Sequence, residues 1–349
     1  MNNSRTSTDC RFSIVIPAFG RLEPLKYTLR SAAAAAARLG AAEIVLVDDG
    51  STPPLEEQLA GFDARWPIRH IRQSNRGSIA ARITGLGAAK GRHILFLDSD
   101  DLIHPDKLAS HAALHAAAQA DVVYDDLAIA VLEPDYGARF SPGPVLSPVS
   151  DPAELFLRVQ PAPHSATYRR DWLVTALEVP WVRASRDMDP SGDVWLYYNL
   201  LGQPAVVAKL DAALTATGPH EELRYSQHWE KLGAASLLVA ERFQQSCPLI
   251  PQTLKAHMLV GVVAFESWRR LPRDFHPDYT DRLLQVSRRA PQAPIAQLSG
   301  RKFRLIARLL GRANAGHLLR LKNARYEKCR TLAPAELERL LGAAFAKAK

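Results

Sequence analysis

Three carboxylates lie within four residues at the end of an apolar run. Asp98, Asp100 and Asp101 are separated only by Ser99. Carboxylates this close repel one another and resist burial unless cations or hydrogen-bond donors compensate them. A hard divalent cation bound by one or two carboxylates and a diphosphate would compensate their charge, and Mg²⁺ and Mn²⁺ are commonly bound in this way. The alternative is a solvated turn in which Asp100 or Asp101 caps the next helix.

A second acidic pair, Asp48 and Asp49, ends another apolar run and is followed by Gly50. One of these carboxylates can accept a hydrogen bond from a base or a ribose, and glycine allows the backbone to approach a ligand closely. The alternative is a strand–turn–helix corner with a capping aspartate.

A lone arginine completes the set of polar groups. Arg82 follows Asn75-Arg76-Gly77 and falls on the first turns of an expected helix. A guanidinium in that place can pair with a phosphate or with a base carbonyl. The alternative is an ordinary surface arginine.

These groups follow strands that alternate with helices. The expected strands are Phe12–Pro17, Glu43–Asp48, Ile68–Ile71 and His93–Asp98, and the expected helices are Leu22–Leu39, Leu55–Ala60, Ser78–Ala89 and Pro105–Gln119. Continuous apolar strands bounded by helices predict a parallel sheet covered on both faces. Ligands of such sheets bind beyond the carboxyl ends of the strands, where these polar groups lie.

After residue 132 the sequence pattern changes twice. A proline-rich connector over residues 133–163 is followed by an expected helix at Asp193–Leu201 and an expected strand at Ala205–Leu210. From about residue 225 the pattern is helical, with expected helices near 233–245, 253–271 and 279–289.

In this order the segments resemble glycosyltransferase family 2. They read SIVIPAFG from Ser13, IVLVDDGS from Ile44, NRGSIAAR from Asn75 and GRHILFLDSDD from Gly91. The resemblance is strong to about residue 130. It implies the α/β GT-A fold, a doubly wound, mostly parallel sheet, with a C-terminal helical appendage. We expect a glycosyltransferase domain over 1–224, with a nucleotide-sugar half at about 1–130 and an acceptor half at about 131–224, and a helical region with a basic tail over 225–349.

The resemblance also implies a donor site. By motif position, Pro17 and Ala18 line the base and ribose, and Asp49 binds the base. Arg82 contacts the nucleotide, and Asp98 binds the ribose with Ser99 beside it. Asp100 and Asp101 hold Mn²⁺ or Mg²⁺. His220 is placed where many relatives have a histidine that helps to hold the metal or the diphosphate. One departure is clear: Phe19-Gly20-Arg21 replaces the usual Tyr-Asn-Glu. We therefore expect Arg21 near the base or ribose.

The catalytic base is expected C-terminal to the metal motif. The family has an acidic residue at the start of a helix reading Asp-x-x-Leu-x-x-Arg, and Asp193 fits, although Asn199 replaces the arginine. Asp187 and Asp189 are nearby competitors. An aspartate favoured by the helix dipole alone is the alternative.

The activity implied is inverting, metal-dependent transfer of a sugar from a nucleoside-diphosphate sugar, UDP by default, to a hydroxyl of a saccharide or lipid-linked acceptor, as in polysaccharide biosynthesis. Two alternatives stay open: a sugar nucleotidyltransferase, which would release pyrophosphate, and a non-catalytic sugar-nucleotide binder.

Positive charge is concentrated in the tail. The chain carries a net charge of +8, whereas residues 301–349 carry 13 basic and 3 acidic residues. Because the other 300 residues are slightly acidic, the charge does not favour nucleic-acid binding. Phe303, Ile306, Leu309 and Leu310 fall at helical spacing beside Arg304, Arg308 and Arg312, which favours either a basic helix on an anionic membrane or a helix packed on the protein. A polar N-terminus and three scattered cysteines indicate a cytoplasmic protein, with peripheral contact at the inner membrane face through the tail.

Overall fold

The computed structural model describes residues 11–219 and 228–346. Over these residues the chain divides into two compact units. One unit holds residues 11–180 and 204–219, and the other holds residues 181–203 and 228–346. Residues 181–203 were expected in the acceptor half and are grouped here with the C-terminal helices. The domain boundary at residue 224 stays a prediction.

The first unit is built on one sheet. Its strands are β1 (Phe12–Ala18), β2 (Ala42–Asp48), β3 (Ile68–Arg72), β4 (His93–Phe96), β5 (Leu102–Ile103), β6 (Val122–Leu132), β7 (Ala138–Pro142), β8 (Thr167–Arg169) and β9 (Val207–Ala216). They are ordered β3-β2-β1-β4-β8-β6-β9-β5, with β7 beside β6. Strands β1 to β4 pair in parallel, whereas β8 is antiparallel to β4 and to β6. The N-terminal half is therefore the predicted parallel sheet, and later strands extend it as a mixed sheet.

Helices of the first unit cover this sheet. They are α1 (Leu22–Leu39), α2 (Leu55–Gln58), α3 (Ser78–Ala88), α4 (Lys107–Ala118), α5 (Pro152–Glu154) and α6 (Arg170–Glu178). Every residue of β1 is buried, as expected for an apolar strand with both faces covered. Helix α3 approaches β1 closely at Gly85, where a Cβ atom would stand 2.3 Å from Cγ1 of Val15. That contact fixes the helix that carries Arg82.

The second unit is helical. Its helices are α7 (Gly192–Leu200), α8 (Trp229–Ser246), α9 (Leu254–Arg270), α10 (Pro277–Arg289), α11 (Arg301–Leu310), α12 (Arg312–Arg320) and α13 (Pro334–Ala346). The hydroxyl of Ser191 donates to the carbonyl of Leu232 at 2.8 Å and ties the start of α7 to α8. None of the helices in the described part of the chain combines the length and the apolar character needed to cross a bilayer.

Candidate active site

The ends of β1 and β2 form one edge of the site. Pro17 and Ala18 are the last residues of β1 and pair with Val47 and Asp48 of β2. The carbonyl of Ala18 accepts a hydrogen bond from the N–H of Asp49 at 2.9 Å, so the two strand ends stay in register beyond the sheet. The contacts of Pro17 and Ala18 with a base and ribose stay predictions.

The two aspartates after β2 have different surroundings. Asp48 accepts hydrogen bonds from the N–H groups of Ser51 (2.8 Å) and Leu55 (3.0 Å), and it also pairs with Arg72. Burial alone would raise the pKa of Asp48, but these hydrogen bonds and the arginine hold it below its ordinary value. Asp48 is therefore the capping aspartate that shapes the corner, which was the alternative considered for this pair.

Asp49 is held by donors from the loop before α3. Its Oδ1 atom accepts from Nε2 of Gln73 (2.7 Å) and from the N–H of Arg76 (2.9 Å), and its Oδ2 atom accepts from the N–H of Gly77 (2.8 Å). A carboxylate can accept about four hydrogen bonds. The three donors fix the orientation of Asp49, and its role toward a base stays a prediction.

Gly50 allows that loop to come close. It has a φ of +87°, and a Cβ atom there would lie 2.7 Å from the backbone nitrogen of Asn75. A larger residue would be strained by its backbone conformation and would push away the loop that holds Asp49.

The acidic cluster forms a tight turn after β4. The N–H of Asp101 donates to the carbonyl of Asp98 at 3.1 Å, which closes a four-residue turn. Asp98, Ser99 and Asp100 are partly exposed, whereas Asp101 is buried. The turn therefore presents its first three residues outward and directs the fourth into the protein.

Asp98 pairs with the predicted arginine. Nη2 of Arg82, which is buried, lies 2.6 Å from Oδ1 of Asp98. Burial alone would raise the pKa of Asp98, but the charge and hydrogen bond of Arg82 hold it below its ordinary value. The structure thus joins two of the predicted donor-binding residues, 16 positions apart, in one ion pair.

Asp100 pairs with the arginine that marks the departure from the family pattern. Nη1 of Arg21 lies 2.8 Å from Oδ2 of Asp100, and both side chains are partly exposed. The sequence predicted Arg21 near a base or ribose and did not predict this pair. The carboxylate predicted to hold a metal is compensated in this structure by a protein cation.

Asp101 is held by groups that sequence reasoning did not assign to the site. Its Oδ1 atom accepts from the N–H of Gly218 at 2.9 Å, and its Oδ2 atom lies 3.2 Å from Nδ1 of His164. Nε2 of His164 lies 3.2 Å from the carbonyl of Ala216, to which it donates. Burial raises the pKa of Asp101, and the charges of its acidic neighbours raise it further. The role of Asp101 toward a metal stays a prediction.

A buried ion pair lies behind these segments. Nζ of Lys107, at the start of α4, donates to Oδ2 of Asp125 (2.8 Å), to the carbonyl of Ser165 (3.0 Å) and to Oγ1 of Thr215 (2.9 Å). Burial alone would raise the pKa of Asp125, but Lys107 and the hydrogen bond and charge of His111 lower it to about 2. Ser165 follows His164, and Thr215 precedes Ala216, so this network positions both segments that hold Asp101.

Two neutral histidines extend the network. His111 and His115 lie within hydrogen-bond distance of Oγ1 of Thr167, at 2.8 and 2.9 Å. Burial lowers the pKa of His111 to about 4 and that of His115 to about 3. No motif in the sequence indicated these residues, because their partners are 52 to 56 positions away.

The predicted base belongs to the second unit. Asp193 is the second residue of α7 and is partly buried. Asn199, which replaces the family arginine, is fully buried: its Oδ1 atom accepts from the N–H of Val182 at 2.8 Å, and its Nδ2 atom donates to the carbonyl of Trp195 at 3.0 Å. Asn199 therefore braces the segment before α7. His220 lies outside the described residues.

The carboxylates of the acidic turn fit a hard divalent ion whose other ligands are water and substrate phosphates. Among residues 11–219 and 228–346, no group of three or more His, Cys, Asp or Glu side chains is arranged to hold a metal. Mg²⁺ is usually bound through one or two carboxylates, with water and substrate phosphates as the other ligands. The partly exposed carboxylate of Asp100 matches that arrangement.

Comparison with solved structures identifies the class of fold. Staphylococcus aureus TarS residues 1–349 in complex with UDP-GlcNAc superposes with a TM-score of 0.58 at 16% identity, covering 93% of each chain. A mannosyltransferase from Pyrobaculum calidifontis in complex with GDP-Man and Mn²⁺ gives 0.52 at 14% identity, covering 97% of this chain and 86% of that one. The fold is GT-A-like, as predicted.

Sequence comparison then gives the family. The glycosyl transferase family 2 model matches residues 13–173. An uncharacterized glycosyltransferase of Rickettsia conorii is 34% identical over 100 residues, which cover 29% of this chain and 16% of the relative. Succinoglycan biosynthesis protein ExoO of Rhizobium meliloti is 38% identical over 92 residues, covering 26% of each. Residues 13–173 belong to glycosyltransferase family 2, and the chain spans about a quarter or less of the length of these relatives.

Proposed function

We propose that the protein transfers a sugar, with inversion, from a nucleoside-diphosphate sugar to a hydroxyl of a saccharide or lipid-linked acceptor. The observation that carries this proposal is the placement of Asp49 after β2 and Asp98–Asp101 after β4. Both strands are parallel neighbours of β1, so both acidic segments follow carboxyl ends at one edge of the sheet. The likeness to TarS bound to UDP-GlcNAc supports UDP as the nucleotide, and the likeness to a succinoglycan biosynthesis protein supports a saccharide acceptor.

On the donor side, each residue has a separate task. Asp49 accepts a base N–H with its remaining acceptor position, and Pro17 and Ala18 line the base and ribose. Asp98, oriented by Arg82, accepts from the ribose. When bound at Asp100, with Asp101 beside it, Mn²⁺ or Mg²⁺ supplies positive charge that stabilises the leaving diphosphate.

In the transfer step, the acceptor oxygen bonds to the anomeric carbon as the bond from that carbon to the diphosphate oxygen breaks. The nucleoside diphosphate leaves with the bonding electron pair, and Asp193 takes the proton of the acceptor hydroxyl. Attack from the face opposite the leaving group inverts the anomeric centre.

The test is a thermal-shift screen of UDP-, GDP- and dTDP-sugars with Mn²⁺, followed by product analysis. A donor at 100 times its dissociation constant should add about 2.7 kcal/mol to the free energy of unfolding. Turnover should release a nucleoside diphosphate and give a product of inverted anomeric configuration. Pyrophosphate release would indicate a nucleotidyltransferase instead, and binding without turnover on any acceptor would indicate a binding protein.

The basic tail supports a second, peripheral contact. Phe303 and Ala307 of α11 are buried, and the guanidinium of Arg269 lies 4.3 Å from the Phe303 ring centre. Leu305 and Leu309, four residues apart, are 63% and 80% exposed on another side of the helix. The predicted apolar stripe is therefore divided, because only part of it packs on the protein.

The predicted arginine row is divided in the same way. Arg304 donates to the carbonyl of Leu298 at 3.1 Å, and Arg312 donates to Gln292 at 2.7 Å and Ser287 at 2.9 Å. These two arginines anchor the helices to the protein. Residues 301–322 nevertheless contain seven basic and no acidic residues. Exposed leucines among so many cations match an anionic lipid surface, here the cytoplasmic face of a membrane.

Vesicle co-sedimentation tests this contact. The full chain should bind phosphatidylglycerol vesicles at low salt and phosphatidylcholine vesicles poorly, and Leu305→Gln/Leu309→Gln should lose most of that binding. Val145→Gln/Val179→Gln is the matched control, because these valines are 78% and 75% exposed in the other unit. Equal vesicle binding by both double variants would overturn the proposal.

A further inference from the structure

We propose that Arg21 is a built-in counter-cation for Asp100, which a divalent metal must displace. Arg21 then becomes available to the diphosphate of the donor. Removing it would therefore strengthen binding of the metal alone and weaken binding of a nucleoside diphosphate. The diphosphate part rests on the proposed function, whereas the metal part does not.

The three carboxylates of the acidic turn each have a cationic or ionisable partner. Asp98 pairs with Arg82, Asp100 with Arg21, and Asp101 lies against His164. Two of the three carboxylates, Asp98 and Asp100, are thus compensated by arginines without a metal.

Only one of the three partner side chains is appreciably exposed. The side chains of Arg82 and His164 are 5% and 1% exposed, whereas that of Arg21 is 31% exposed and that of Asp100 is 17% exposed. Because the Arg21 side chain is partly exposed, although its Nη2 atom is buried, the Arg21–Asp100 pair can open more easily than the pair made by the buried Arg82. Binding of a metal at Oδ2 of Asp100 therefore requires this exchange.

The backbone aims Arg21 at this position. Arg21 has φ 53° and ψ 53°, directly after Gly20 with φ 62°, so two successive residues are left-handed. The N–H of Gly20 donates to Oγ of Ser51 at 2.9 Å, which ties the corner to the segment after β2. A left-handed conformation costs a residue other than glycine about 1–2 kcal/mol. Its presence here indicates that the surrounding contacts hold this corner in place.

The metal and the guanidinium compete for one oxygen. A metal such as Mg²⁺ lies about 2.0–2.1 Å from its ligand oxygens, so at Oδ2 of Asp100 it would stand close to a guanidinium whose Nη1 atom is 2.8 Å from the same oxygen, and the two cations would repel each other. A released guanidinium has planar, paired donors that match phosphate oxygens. One side chain thus opposes the metal and favours the diphosphate.

The experiment titrates Mn²⁺ alone, then UDP with Mn²⁺, into the full chain by calorimetry. Arg21→Ala should bind Mn²⁺ alone about five-fold more tightly than wild type, since a partly exposed ion pair contributes up to about that factor. UDP should bind the same variant several-fold more weakly. Arg65→Ala is the matched control: Arg65 also has a left-handed φ, 64°, and is exposed. It should match wild type in both titrations.

A double variant tests whether the tighter Mn²⁺ binding of Arg21→Ala depends on Asp100. Arg21→Ala/Asp100→Ala should lose the tighter Mn²⁺ binding, and a gain that survives would overturn the proposal. Unchanged or weaker Mn²⁺ binding by Arg21→Ala, in a protein with wild-type thermal unfolding, would overturn it as well. If UDP binds none of the proteins while the Mn²⁺ gain is present, the proposed function fails and the counter-cation role stands.

Discussion

Asp101 and Gly218 lie 117 residues apart in sequence and are joined by a hydrogen bond of 2.9 Å. This bond connects the acidic turn after β4 to the segment after β9, within one compact unit. The acidic turn is therefore shaped by a part of the chain that lies beyond the matched family residues 13–173. Changes near Gly218 should alter the acidic turn without touching its carboxylates.

Asp100→Ala should abolish the Mn²⁺-dependent stabilisation by UDP while leaving the fold intact. The lost pair with Arg21 is partly exposed, and such pairs contribute about 0–1 kcal/mol to the free energy of unfolding. The measurement is thermal unfolding with UDP, with and without Mn²⁺. Asp106→Ala is the control, since Asp106 pairs with Arg38 at the same 2.8 Å. Full transfer by wild-type protein in EDTA would refute the metal site.

Asp193→Asn should slow transfer by about 10²–10⁴-fold, the usual contribution of a positioned general base. Asparagine keeps the size of the side chain but cannot take the proton of the acceptor. Donor affinity, measured by calorimetry with Mn²⁺, should change little. Normal transfer by Asp193→Asn, with a loss in Asp187→Asn or Asp189→Asn, would move the base to that residue. Joint loss of binding and transfer would make Asp193 structural.

Lys107→Met should destabilise the protein by about 3–5 kcal/mol, because it leaves Asp125 buried without a compensating charge. The double variant Lys107→Met/Asp125→Leu should recover much of that loss, since an apolar pair of similar volume needs no compensation. Urea unfolding measures both. A double variant as unstable as the single one would show that Lys107 acts mainly through Ser165 and Thr215.

Stability should fall as the pH decreases from about 6.5. The folded protein holds the pKa of His111 at about 4 and that of His115 at about 3, below the unfolded value of about 6.5. The unfolded chain therefore binds more protons below pH 6.5, and stability is lost as the pH falls toward 4 and then 3. Urea unfolding at pH 7, 6 and 5 checks the slope.

A histidine variant tests whether His115 causes the fall in stability with decreasing pH. His115→Gln should flatten it, whereas His70→Gln, on the partly exposed strand β3, should not. An unchanged slope in His115→Gln would show that other groups cause the acid sensitivity.

Local sequence patterns predicted the parallel half of the fold well. The expected strand at Phe12–Pro17 is β1 (Phe12–Ala18), and the expected helix at Leu22–Leu39 is α1 without change. These elements bury continuous apolar runs, so a few neighbouring residues are enough to predict each of them. Arg82 was also predicted from a local motif, and it pairs with Asp98 after β4, whereas its contact with a nucleotide stays a prediction.

The partners of the carboxylates could not be predicted in this way. His164 and Gly218 contact Asp101 from 63 and 117 positions away, and Lys107 meets Thr215 over 108 positions. Such contacts depend on how β8 and β9 join the sheet, which no local pattern specifies. The division of the leucines of α11 between buried and exposed sides has the same cause, since it depends on what the helix packs against.

The strand order has a consequence for synthesis on the ribosome. Strands β1 to β4 are complete once about 100 residues have been made, and among themselves they pair in parallel. The open edge of β4 is covered only when β8, at Thr167–Arg169, has emerged. During that interval a nascent chain exposes an unpaired strand edge, a common start for aggregation. We expect chains truncated between these points to depend on chaperones.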